Sequence, residues 1–95
     1  MRRYELTVII DPEVAEEDVP KVLEKLNEFV TQRGGNVLEL NQWGRRRLAY
    51  PINHRGEGNY VVMQFELEPD KTRELENSLY LSEEFLRHLL VRIDN

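Results

Sequence analysis

The hydrophobic period of this chain switches from two residues to about four and back again, twice over, and that alternation limits its folds more than any other feature. Tyr4, Leu6, Val8 and Ile10 share one face of a β-branched, alternating segment that closes on the turn signal Asp11-Pro12, which predicts a strand. Val19, Val22, Leu23, Leu26, Phe29 and Val30 then recur at helical spacing, and Gly34-Gly35 supplies a left-handed stop, so an amphipathic helix of roughly four turns is expected. Pro20 is tolerable in its first turn, where the missing N–H would be unpaired in any case.

Residues 36–53 read as extended, and residues 53–59, with Gly56 and Gly58 offering positive φ, read as the loop of a hairpin whose return strand is residues 60–67. Pro69-Asp70 opens a second helix in which Leu75 and Leu79 stand four apart. The apolar residues 85–93 fit helix or strand by periodicity, and their place after a helix favours strand. The order strand, helix, strand, strand, helix, strand predicts an α+β, ferredoxin-like split βαβ fold: a four-stranded antiparallel sheet in the order 4-1-3-2 with both helices on one face. The second strand then lies on an edge, where Pro51 is acceptable. With 95 residues, one domain spanning 1–95 and one core are expected.

Charge is segregated along the chain. The net charge is −5, and residues 11–33 and 66–84 carry the excess acid, while Arg45, Arg46, Arg47 and Arg55 face only Glu57 between residues 41 and 60. Because the acidic segments are the expected helices, the reading is two solvated helix faces beside a more basic sheet. There is no cysteine, which excludes disulfides, thiolate metal sites and cysteine nucleophiles. The apolar run at residues 6–10 is too short for a signal sequence or membrane span, so a soluble cytoplasmic protein is expected.

Enzymatic chemistry finds no constellation. His54 and His88 belong to no ligand-spaced cluster, so no metal or other cofactor is expected, and no pair of carboxylates resembles a catalytic dyad. Acylphosphatases share this architecture but need a glycine-rich anion cradle after the first strand, where this chain has Asp11-Pro12-Glu13. RNA-recognition motifs stack bases on third-strand aromatics, and here Glu57, Asn59 and Val62 occupy those positions, which directs RNA contact towards backbone and shape.

The most specific string is Trp43-Gly44-Arg45-Arg46-Arg47-Leu48-Ala49-Tyr50-Pro51-Ile52-Asn53. With the opening Met1-Arg2-Arg3-Tyr4-Glu5 and the element order, it resembles the bacterial small-ribosomal-subunit protein six family over essentially the whole chain. The resemblance implies a non-catalytic protein that pairs with the basic small-subunit protein eighteen and joins the central domain of small-subunit (16S) ribosomal RNA. The charged C-terminal tail common in that family is missing after Asn95, so tail glutamylation is not carried over. A basic partner would also reconcile RNA binding with a net charge of −5, because it supplies cations that the acidic helices lack.

In the 4-1-3-2 order the start of the first strand meets the end of the fourth, bringing Arg2 and Arg3 near Arg92. These three, with Arg87 further along the fourth strand, are the expected RNA-phosphate contacts; the plainer reading is solvated arginines at chain ends. Trp43, Arg45, Arg46 and Arg47 on the second strand are the expected partner contacts, although arginine forks there also suit RNA or helix carboxylates. Leu48, Tyr50 and Ile52 are expected in the core. Ile9, Tyr60 and Val62 should point away from the helices, making Tyr60 and Val62 further partner contacts. The facing of the last strand stays open, since one choice buries His88 and the other Arg87. A homodimerising interaction domain and a small enzyme on the same fold are the alternatives.

Overall fold

A computed structural model describes residues 1–52 and 54–94; Asn53, which opens the expected loop, and Asn95 lie outside the described residues. The elements are β1 (Arg2–Ile10), α1 (Val19–Thr31), β2 (Asn36–Ile52), β3 (Arg55–Leu67), α2 (Thr72–Leu81) and β4 (Phe85–Arg92), with 3-10 turns at Glu16–Asp18 and Pro69–Lys71 leading into the helices. All neighbouring strands are antiparallel in the order β2-β3-β1-β4, the expected arrangement read from the other edge.

The core lies between the sheet and the helices. Tyr4, Leu6, Val8 and Ile10 of β1 and Val61, Met63, Phe65 and Leu67 of β3 face Val19, Val22, Leu26 and Val30 of α1 and Leu75 and Leu79 of α2. Full burial of each large apolar side chain is worth roughly 1.5–3 kcal/mol, so this period-two and helical-period match is the main source of stability. Pro20 sits in the first turn of α1, as its chemistry requires. At the other end Gly34 takes φ +81° and Gly35 N–H donates to Val30 O at 3.0 Å, closing the helix with a left-handed turn. Arg33 donates to Phe29 O at 2.8 Å and to Ser78 Oγ at 2.9 Å, so one guanidinium both caps α1 and ties it to α2.

The register settles the facing of β4. His88 pairs with Val8 and Leu90 with Leu6, which puts both on the helix side, whereas Arg87, Leu89 and Val91 pair with Ile9, Thr7 and Glu5 on the open face. The His88 side chain is only 6% exposed, its Nε2 lies 3.0 Å from Glu76 Oε1, and the Tyr80 ring meets it edge-on. A buried imidazole can satisfy its polar atoms against a helix in this way, while a buried Arg87 would leave five donors to satisfy.

Two expectations are corrected. Residues 54–59 are not a glycine loop: β3 already begins at Arg55, and among the described residues of the turn His54 takes the left-handed conformation, at φ 65°. Gly58 serves close approach instead, since a Cβ there would stand 2.4 Å from Ile9 Cγ2. The expected core triplet of Leu48, Tyr50 and Ile52 is borne out only in the burial of Leu48. β1 ends at Ile10, opposite Asn59, so the β2–β3 hairpin continues as an arm with no helix above it. Leu48 is 8% exposed but lies outside the main cluster, Ile52 is half-buried, and Tyr50 is 61% exposed.

Gly35 has no room for a side chain, because a Cβ would stand 2.6 Å from the backbone carbonyl oxygen of Glu66 and 2.7 Å from Val30 Cγ1. Gly35→Ala is therefore expected to destabilise the fold by about 1–3 kcal/mol. Equilibrium urea unfolding would show this as a lower midpoint at unchanged slope. A midpoint equal to that of the parent chain would contradict the packing at this junction.

Candidate nucleic-acid and partner interface

Among the described residues no helix covers the face of the sheet away from α1 and α2; only the β2–β3 arm lies against its Ile9 and Tyr60 end. Cross-strand register orders it in rows: Glu66 with Arg3; Gln64, Glu5 and Val91; Val62, Thr7 and Leu89; then Tyr60, Ile9 and Arg87. One end of this face is therefore charged and the other largely apolar. Val62 and Ile9 are nearly covered by their neighbours, whereas Leu89 stays 59% exposed.

A bulge between Gln42 and Gly44 shapes the edge beside that apolar end. Gly44 adopts φ +85° and pairs with Tyr60, and nothing lies within 4 Å of where its side chain would begin. Beside the bulge lies a groove of about 440 Å³ lined by Trp43, Arg46 and Tyr60. Trp43 is 54% exposed there. Three of the expected partner contacts thus share one concavity, and Val62 lies one pair further along β3, opposite Asn41.

The other two arginines of the run do not join them. Arg45 forms an ion pair with Glu57 at 2.9 Å and reaches Pro12 O at 3.4 Å, beside a cleft lined by Glu16, Val19 and Pro20 at the start of α1. Arg47 is exposed on the arm, paired in register with Glu57. Arg55 is also engaged, by Asp11 at 3.2 Å and Glu13 at 2.8 Å, so the acidic turn after β1 holds the root of the arm.

The expected RNA contacts divide as well. Arg2 and Arg92 lie on the helix side of neighbouring strands, opposite Leu67 and Tyr4, and both approach Asp94, at 3.9 and 2.7 Å. Arg3 is on the open face opposite Glu66. Arg87 is at the far end of β4, donating to Tyr50 Oη at 3.0 Å. This bond, with Leu48, Ala49 and Ile52 beside Ile9 and Tyr60, lays the arm against the open face. Sequence reasoning missed the roles of Tyr50 and Asp94. The curl of the arm has no local signature, but the antiparallel order already placed Asp94 beside Arg2.

A protein-family model described as Ribosomal protein S6 matches residues 3–92. The chain belongs to the ribosomal protein S6 family. It is 45% identical to small ribosomal subunit protein bS6 of Desulforamulus reducens over 97% of each chain. It is 48% identical to the bS6 of Micrococcus luteus, over 97% of this chain and 91% of that one. The crystal structure of 30S ribosomal protein S6 from Thermotoga maritima superposes with a TM-score of 0.92 at 31% identity, covering 97% of this chain and 87% of that one. The ribosomal protein S6 family is structural and non-enzymatic. No helix among the described residues is long and apolar enough to cross a membrane.

Trp43 is the single tryptophan, so it reports on the groove directly. In the free protein its fluorescence is expected to be readily quenched by acrylamide, as for an exposed indole. Strong protection from quenching in the free chain would contradict the open groove.

Proposed function

We propose that this chain, a constituent of the small ribosomal subunit by its family, binds the central domain of small-subunit (16S) ribosomal RNA jointly with small-subunit protein eighteen. Membership of that subunit makes it a cytoplasmic RNA-binding protein of translation. The observation that carries the joint-binding reading is the separation of two surfaces. The Trp43, Arg46 and Tyr60 groove lies at the apolar end of the open face, and Arg2 and Arg92, with Arg3 on the other face of the sheet, lie at the opposite end of β1.

The groove has the composition of a protein contact, an exposed aromatic with an arginine at a sheet edge. Val62 continues the contact along β3 on the same sheet face, Arg47 extends it along the arm, and Arg45 stays with its carboxylate until a partner competes for it. Arg2, Arg3 and Arg92 supply phosphate contacts, with Arg87 at the far end of β4 as a second point of approach. A chain at net −5 with carboxylates on both helices offers phosphates few uncompensated cations, so a docked basic protein supplies the missing counter-charge.

A salt-dependent titration against a central-domain RNA fragment, with and without the basic partner, tests this. Tight binding is expected only with the partner present, and weak binding that the partner does not improve would overturn joint recognition. Replacing Arg2, Arg3 and Arg92 together by Gln should weaken the ternary complex and reduce the slope of log K against log salt by about 2. Trp43→Ala should weaken the protein–protein step by about 2 kcal/mol while leaving the salt slope unchanged. Calorimetry of the two proteins alone reads that step without RNA.

A further inference from the structure

The chain beyond β4 remains in register for one more residue. Ile93 N–H donates to Arg3 O at 2.9 Å, so Asp94 comes to lie beside Arg2 instead of trailing into solvent. Its carboxylate accepts a hydrogen bond from Arg92 Nε at 2.7 Å, and its second oxygen lies 3.9 Å from an Arg2 guanidinium nitrogen. The Arg92 hydrogen bond holds the Asp94 carboxyl below the usual carboxylate range, aided by a backbone hydrogen bond from Arg3 and the charge of Arg2, against a partial loss of hydration. Asp94 therefore stays ionised at neutral pH. Its side chain is 27% exposed, and each guanidinium 47%.

Two guanidiniums from adjacent strands thus converge on a single monoanion at the rim of the sheet. Such a donor set suits a phosphodiester as well as it suits a carboxylate, since each offers two equivalent anionic oxygens and one negative charge. Among the described residues Asp94 is held by these partly exposed contacts, and surface ion pairs of this kind are worth little, so its carboxylate is displaced at small cost. We propose that Arg2 and Arg92 form a site for one RNA phosphodiester, and that the Asp94 carboxylate is its built-in occupant, leaving when RNA arrives. The proposal rests on the reading that these arginines meet RNA. It adds that the free protein shields them, so that RNA must exchange for a carboxylate instead of filling an open site.

The test compares Asp94→Asn with Glu17→Gln, an equal change of charge on the exposed turn before α1, in the full chain with its basic partner and the central-domain RNA fragment. Asp94→Asn is expected to tighten RNA binding by about two- to five-fold at low salt, as for loss of a competing surface pair, and Glu17→Gln by clearly less. Equal effects of the two substitutions would overturn the built-in occupant. If Arg2→Gln with Arg92→Gln leaves both affinity and salt slope unchanged, the underlying RNA reading falls and the site with it. NMR titration of the Asp94 carboxyl supplies a second readout: its pKa should rise towards the ordinary range on RNA binding, and an unchanged value in the complex would show the carboxylate still in place and refute the exchange. Inorganic phosphate alone, added to the Asp94→Asn chain, separates the two anion sources. Saturable shifts of the Arg2 and Arg92 side-chain signals with phosphate and none with RNA would assign the site to a free anion and overturn the proposal.

Discussion

Everything in this molecule hangs on the burial of one strand. β1 is paired on both sides, to β3 and to β4, and its Leu6, Val8 and Ile10 are essentially inaccessible beneath the two helices. Because side chains alternate strictly along a strand, fixing those residues inward fixes Arg3, Glu5, Thr7 and Ile9 outward. The register then carries that choice sideways into β3 and β4, where a slip of one residue would exchange the core for the open face. Leu89 and Val91 are exposed, and His88 buried, as a consequence of where β1 puts its leucine and valine.

That constraint also separates the charges. Both helices turn their carboxylates to solvent because their apolar stripes are committed to the sheet, so the acid collects on one side of the domain. The arginines are left to strand ends and to the hairpin arm. Several are already neutralised within the chain: Arg55 by Asp11 and Glu13, Arg45 by Glu57, Arg2 and Arg92 by Asp94. Counting cations therefore overstates how much of this surface is free to meet phosphate. The same fold is found at 13% identity, with a TM-score of 0.59, in the C-terminal domain of the MgtC protein from Mycobacterium tuberculosis, so topology alone does not carry the ribosomal reading.

The β2–β3 arm follows a different logic. Past Asn59 there is no β1 partner and no helix above, so side chains that alternate as though for a core have none to enter. They turn against the back of the sheet, where Leu48 is covered and Tyr50 holds Arg87. The Gly44 bulge lies beside the groove at Trp43 and Tyr60, and a glycine there supplies the positive φ that the bulge needs.

The sequence by itself determined the order of elements, the strand order, the core faces of β1, β3 and both helices, and the family. These follow from hydrophobic period, turn residues and one long motif, all of them local properties of the chain. It also placed Pro20 at a helix start, Gly34 at a helix end and Arg2 and Arg3 near Arg92. Only the tertiary structure decided which way β4 faces, because Arg87 and His88 alternate among apolar residues and local pattern cannot rank their burial. Only it showed that Gly58 is a point of close approach to Ile9, that Leu48, Tyr50 and Ile52 belong to an arm and not to the core, and that Trp43, Arg46 and Tyr60 enclose one groove while Arg45 goes elsewhere. Those outcomes depend on what stands opposite each residue across the sheet, which is fixed by register and bulges between segments distant in sequence.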